Sequence, residues 1–264
     1  MSSIHPTAII GDKAELGEDV VVHPYTIIED GAKIGNRCEL GPFAVIRGGT
    51  IIGDGTGVHT GAVLGEPPQD LKYHGEETYL IIGRDNEIRE FVTLHRATGE
   101  GEATVVGDNN LIMAYSHAGH NCKIGNHCMI SNSAGISGHV TIEDYVTIGG
   151  MVGIHQFVTI GTMAMIGGMS RINRDVPPYL LVEGNPAQPR SVNTRGLARR
   201  GLSEEEIAAL RRAFRLLFRS DLNISQAMAK LEEDEESLTE HVRHLIQFLR
   251  RIDEGYAGRQ ANPR

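Results

Sequence analysis

The chain has 264 residues, of which 5% are aromatic, with 32 Gly, no Trp, three Cys and a formal net charge of −9. Such a length allows one repeat domain plus a small appendage, and the acidic balance argues against a nucleic-acid partner. Cys38, Cys122 and Cys128 lack CxxC spacing and read as reduced thiols of a cytosolic protein. With no N-terminal apolar region and no 18-residue apolar run, neither export nor a membrane span is predicted.

From Ile4 to Ile172 every sixth residue is Ile, Leu or Val, apart from Asp70, Glu76, Glu100 and Ala118. Six residues are too few for a βαβ crossover and carry the wrong period for a helix, so each unit is a short strand plus a bend. Three units close one triangular coil of a parallel β-helix, a mainly β fold. The aliphatic side chains then point inward and stack 18 residues apart, so that Ile124, Ile142 and Ile160 form one ladder. Gly often follows the aliphatic residue, as at Gly35 and Gly125, and is expected at the corners for its conformational freedom. Two segments lose the period, about 66–79 and 96–103, and are predicted to project as loops, where binding residues gather.

The period ends after Ile172, and Pro177, Pro178 and Pro186 mark an extended connection. The β-helix is therefore assigned to 1–190 and a helical domain to 191–264. Ser203 and Glu206 form a capping-box pattern ahead of Ile207, Leu210, Phe214 and Leu217 at helical spacing. A short helix is predicted over 225–231 and a third along the stripe Leu238, Val242, Leu245, Leu249 and Ile252. The many Arg residues of this segment are either solvated helix faces or a docking surface for an acidic partner.

The densest polar cluster is 115–122, where Ala118 breaks the aliphatic rule. His95, His117, His120, His139 and His155 all fall in the central coils. With residues 18 apart stacking, His120 lies one coil from Gly138 and His139, and His139 close to one coil from His155. Converging imidazoles suit either a zinc site or a general base. No carboxylate or Cys completes a ligand set by spacing, which favours the base.

The opening IHPTAIIG, QDLKY (69–73), VTLHR (92–96), the HxxH of His117 and His120, SGHV (137–140), IGGMVGIHQF (148–157), DVPPY (175–179) and GLARRGLS (196–203) together carry a resemblance. The chain resembles, from end to end, the UDP-N-acetylglucosamine O-acyltransferases that open lipid A synthesis. That resemblance implies a left-handed parallel β-helix, a homotrimer with sites between subunits, and transfer of a 3-hydroxyacyl chain from acyl carrier protein to the glucosamine 3-hydroxyl of UDP-GlcNAc. It implies no cofactor beyond the phosphopantetheine of the carrier protein. By position, His120 matches the family's catalytic base and the Gly138 N–H its oxyanion donor. Asp70, Lys72, His95, His117, His139 and Gln156 match sugar-nucleotide contacts, and Asn193 and Arg200 the uridine and phosphate end. Gly168 matches the position that sets acyl length, and His155 and Arg199 fall on the acyl and carrier side. No covalent acyl-enzyme is implied, so Cys122 is structural.

Three positions depart from the family pattern. Asn121 stands where many members have Asp, Arg195 where a Glu is found, and Pro186 where a His is found. The first bears on the acceptor, because some relatives acylate a 3-amino sugar and His-Asn also occurs in the N-acyltransferase of the same pathway. That enzyme lacks the QDLKY loop and the RRG tail. A zinc hydratase of the γ-carbonic anhydrase kind shares the coil but needs a third converging His, and a purely structural role for the coils is the non-enzymatic alternative.

Overall fold

The computed structural model describes residues 2–234 and 238–254; the rest of the predicted helical domain, 235–237 and 255–264, lies outside them. Strands of mostly two residues, separated by four residues centred on a two-residue turn, wind into three sheets of eleven, nine and eight strands. Nearly all pairs are parallel, and the whole is a left-handed parallel β-helix. Left-handed winding is the rare sense for parallel crossovers. The predicted ladder is present: Ile124 pairs with Ile142 and Ile142 with Ile160, all buried. Burying such a side chain contributes roughly 1.5–3 kcal/mol, so the stack of aliphatic rungs takes the place of a globular core. A second internal ladder is polar, with Asn86 accepting from the Asn110 N–H and Asn110 from the Cys128 N–H.

Glycine's part in the coil differs from expectation. Gly17, Gly35, Gly125 and Gly149 do not have positive φ; the left-handed residues come two positions later, at Asp19, Arg37, His127 and Met151. What excludes a side chain after the aliphatic residue is the next coil. A Cβ at Gly35 would sit 2.7 Å from the Asp54 backbone nitrogen, and one at Gly149 would sit 2.5 Å from that of Gly168. The glycines are fixed by close approach of backbones, and the corners take Asp, Arg, His, Tyr, Phe and Met despite the cost.

The two interruptions preserve the phase. Val45 pairs with Val63, Val63 with Thr93, Thr93 with His117 and His117 with Gly135. The two longer steps exceed a coil by whole multiples of six. One corner carries an exposed apolar ridge, with Tyr25 stacked on Phe43 and Phe91 on Tyr115, followed by Met151 and Met169.

Beyond Ile172 the expected extended connection contains a hairpin. Leu180–Gly184 joins the eleven-stranded sheet beside Met165 and turns back antiparallel as Ala187–Val192. The turn holds Pro186. A short helix, α1 (Thr194–Arg199), is capped by the Asn193 side chain and was not legible in the sequence. Helix α2 (Glu204–Arg219) starts with the predicted Ser203/Glu206 capping box. Helix α3 (Ile224–Glu233) is longer than predicted. Helix α4 (Glu240–Asp253) starts after Leu238, which packs on the core ahead of it. Tyr179, at the last coil, donates its hydroxyl hydrogen bond to or accepts one from His244 of α4 at 2.7 Å. Among the described residues no helix is long and apolar enough to cross a membrane.

Candidate active site

The two loops leave the coil next to one another and are tied together. Arg96 donates to the Tyr73 hydroxyl at 3.0 Å, and Gly99 N–H donates to Glu76 at 3.1 Å. Below them a cavity of about 510 Å³ opens along the outer face of the nine-stranded sheet, lined by Gln69, His95, His117, His120, Ser137, Gly138, His155, Gln156 and Arg171.

His120 stands at a corner of the coil, 7% exposed. Its Nδ1 lies 2.9 Å from Asn121 Oδ1 and its Nε2 3.8 Å from Asp70 Oδ2 on the first loop. Gly138 sits one coil further on, as its spacing requires, and a Cβ placed there would be 2.6 Å from His120 Nε2. Among the described residues no hydrogen bond engages the Gly138 N–H. At the neighbouring corner the equivalent amides are capped by side chains, as Asn36 N–H by Asp54 and Asn126 N–H by Asp144. The site therefore offers a base-type nitrogen and an open backbone donor side by side, the two groups acyl transfer needs.

The other imidazoles form two edge-on pairs, His95 with His117 at 4.9 Å and His120 with His139 at 5.0 Å. His139 stacks on Phe157, its true partner one coil along, and not on His155; sixteen residues is short of a full turn. His117 Nδ1 is 2.7 Å from the Thr93 hydroxyl, and burial lowers the His117 pKa. Burial and the neighbouring His120 lower that of His139. Burial, with His117 beside it, holds His95 down to about 4, and its Nδ1 is buried with no hydrogen-bond partner among the described residues. In the unfolded chain His95 returns to about 6.5. Unfolded protein therefore takes up a proton between those values that native protein refuses, and stability falls as pH falls through this window. Chemical denaturation at pH 7 and pH 4 is expected to show a His95→Leu variant losing less stability than the parent, by on the order of 3 kcal/mol. Equal losses would refute this origin.

Asp70 and Lys72 lie on the first loop above the cavity, joined by a 3.0 Å bond from the Lys72 N–H to the Asp70 carboxylate. Asp70, Lys72, His139, Gly168, Asn193, Arg199 and Arg200 are not among the cavity's lining residues. Gly168 is at the corner of the apolar ridge, beside Met169. The Asn193 amide is engaged as the α1 cap and with the Met163 carbonyl. Arg200 lies over the ring of Tyr145, 4.6 Å from its centroid, at the next corner from His120. Burial pushes the Cys122 thiol up to about 12, which leaves it inert as a nucleophile. Among the described residues no group of three or more His, Cys, Asp or Glu is placed to hold a metal ion.

Sequence reasoning missed Gly135 and Gly153, which form the cavity floor. A Cβ at either would meet nothing within 4 Å, so packing does not require glycine there. Their signal in the sequence is glycine at an outward strand position, one coil from His117 at Gly135 and two coils at Gly153.

A family model described as bacterial transferase hexapeptide (six repeats) matches 31–66 and 103–138, and one described as UDP N-acetylglucosamine O-acyltransferase, domain 2, matches 175–257. The acyl-[acyl-carrier-protein]–UDP-N-acetylglucosamine O-acyltransferase of Paraburkholderia phymatum is 44% identical over 97% of this chain and 99% of its own. That of Synechocystis is 48% identical over 77% of this chain and 75% of its own. Among solved structures, the UDP-N-acetylglucosamine acyltransferase LpxA of Bacteroides fragilis superposes with a TM-score of 0.90 at 38% identity, covering 94% and 96% of the two chains. LpxA of Acinetobacter baumannii gives 0.89 at 41% identity over the same shares. On this end-to-end likeness, the chain belongs to the acyl-[acyl-carrier-protein]–UDP-N-acetylglucosamine O-acyltransferase family of enzymes.

Proposed function

We propose that the chain transfers a 3-hydroxyacyl group from acyl carrier protein to the 3-hydroxyl of UDP-GlcNAc, with His120 as general base and no covalent intermediate. The observation that carries the reading is the His120 Nε2 packed against Gly138, whose N–H has no hydrogen bond among the described residues. Nε2 takes the proton of the sugar hydroxyl as its oxygen attacks the thioester carbonyl. The carbonyl oxygen, gaining charge, is held by the Gly138 N–H. Collapse breaks the carbon–sulfur bond, and the imidazolium returns its proton to the departing thiolate. Asp70, 3.8 Å from Nε2, stabilises the positive charge the ring acquires in between. Lys72, His95, His117, His139 and Gln156 surround the acceptor in this reading. The bare floor at Gly135 and Gly153 leaves room for the donor's extended arm, and Gly168 marks the end of the space for the acyl chain.

The phosphate-binding pair Asn193 and Arg200 belongs to another corner of the coil, which supports a homotrimer in which a neighbouring copy brings them to the site. The exposed ridge from Tyr25 to Met169 is the apolar surface such packing would cover. Sedimentation is expected to give a mass three times that of the chain, and charge in the ridge, as in Phe91→Glu, to lower it. The carrier protein is acidic in this reading and would meet Arg199 and the arginines of α2, Arg212, Arg215 and Arg219, which border a surface groove. The reaction takes place in the cytoplasm and needs no cofactor beyond the donor's own phosphopantetheine.

The test is a matrix of acyl carrier protein thioesters of graded length against UDP-GlcNAc and its 3-amino analogue. Turnover with UDP-GlcNAc is expected; turnover only with the amine would replace the acceptor, and turnover with neither by folded protein would reject the reading.

A further inference from the structure

Asn121 holds the left-handed corner position after His120, φ 57°, a conformation Asn tolerates better than most residues. Its carboxamide is gripped by Thr98 of the second loop. Oδ1 accepts from the Thr98 N–H at 2.9 Å and from the Thr98 hydroxyl at 3.0 Å, and Nδ2 donates to the Thr98 carbonyl at 3.0 Å. The Asn121 N–H in turn donates to the Thr104 hydroxyl at 2.8 Å. A backbone N–H can only donate and a backbone carbonyl can only accept, so these two partners fix which end of the amide is oxygen. The atom 2.9 Å from His120 Nδ1 is therefore an acceptor with no proton to give. Nδ1 must carry the hydrogen, and Nε2, which faces Gly138 and Asp70, is left with its lone pair.

We propose that Asn121, clamped by the backbone of Thr98, is a positioning residue that holds His120 in the Nδ1–H tautomer, making the second loop part of the machinery for proton transfer. The inference rests on the reading of His120 as the base. A neutral carboxamide orients the ring without adding a charge next to it, whereas a carboxylate at this place would also favour the imidazolium. Because Arg96 and Gly99 bind Tyr73 and Glu76, the loop that addresses Nδ1 is braced to the loop that carries Asp70 toward Nε2. Both ring nitrogens are thus set by one loop pair.

The test is 15N spectroscopy of histidine-labelled full-length protein, with the His120 signals identified by their loss in His120→Gln, alongside kcat, KM and the pH profile. Parent protein is expected to show, for the neutral His120 ring, Nδ1 protonated and Nε2 bare. Asn121→Ala is expected to lose that pattern and about 10- to 100-fold in kcat with little change in KM. Asn121→Asp is expected to keep Nδ1–H and to move the acid limb of the rate profile to higher pH. Thr98→Val, which keeps the backbone clamp, should hold the tautomer and stay within about fivefold in kcat. Nε2 protonated in the parent, or an unchanged pattern in Asn121→Ala, would overturn the proposal. The expected spectra with undiminished turnover in His120→Gln would instead leave the tautomer assignment standing and remove the general base.

Discussion

Replacing His120 with Ala is expected to lower kcat by about 10²- to 10⁴-fold while KM for both substrates and the thermal midpoint stay close to the parent's. The ring lines the cavity and takes no place in the aliphatic ladder, so its loss opens no internal void. What the backbone contributes at 120, the carbonyl that accepts from the His139 N–H at 2.9 Å, survives the change. Only the proton acceptor is removed, and residual rate then reports what the Gly138 amide and substrate positioning supply. Steady-state assays with calorimetry would decide it, and a loss below tenfold would refute the assigned base.

Gly138→Ala is expected to cost about 10²- to 10³-fold in kcat by a different route. The added methyl would lie 2.6 Å from His120 Nε2, 2.8 Å from Cε1 and 3.0 Å from Cδ2, so the imidazole must swing away. Its backbone is not in the left-handed region, so the fold accepts alanine; the injury falls on the pairing of base and amide. Gly135→Ala is the control, because its methyl enters open space and should leave stability and kcat nearly as they were while raising KM for the acyl donor. Equal effects of the two substitutions would show that glycine at 138 has no special part in turnover.

The coil was legible because an inward ladder admits few residue types, and a fault in any rung leaves a void or an unpaired polar group. The loops were legible as gaps in that rule. The hairpin from Leu180 to Val192 and helix α1 were not, since each is short and held by contacts with the last coils and α2. Gly35 and its equivalents invite the wrong explanation, conformational freedom, because sequence records that a side chain is missing and not what would collide with it. At the site, the imidazole cluster and the one-coil spacing of His120 to Gly138 are legible from the period, whereas the roles of these residues and of the QDLKY loop come only from resemblance. The Thr98 clamp on Asn121 was out of reach: the two are 23 positions apart and meet only because a loop without periodicity folds back on the coil.

The lengths of the two interruptions have a further consequence. Each adds a whole number of hexads between the strands it separates, so the excursions obey a reading frame. Removing or inserting six residues in 66–79 would let the downstream rungs meet their upstream partners unchanged. Removing one would rotate every later aliphatic side chain out of the prism unless the loop absorbed the slip. Variation in loop size is therefore mechanically cheap only in quanta, or where slack in the loop hides the remainder.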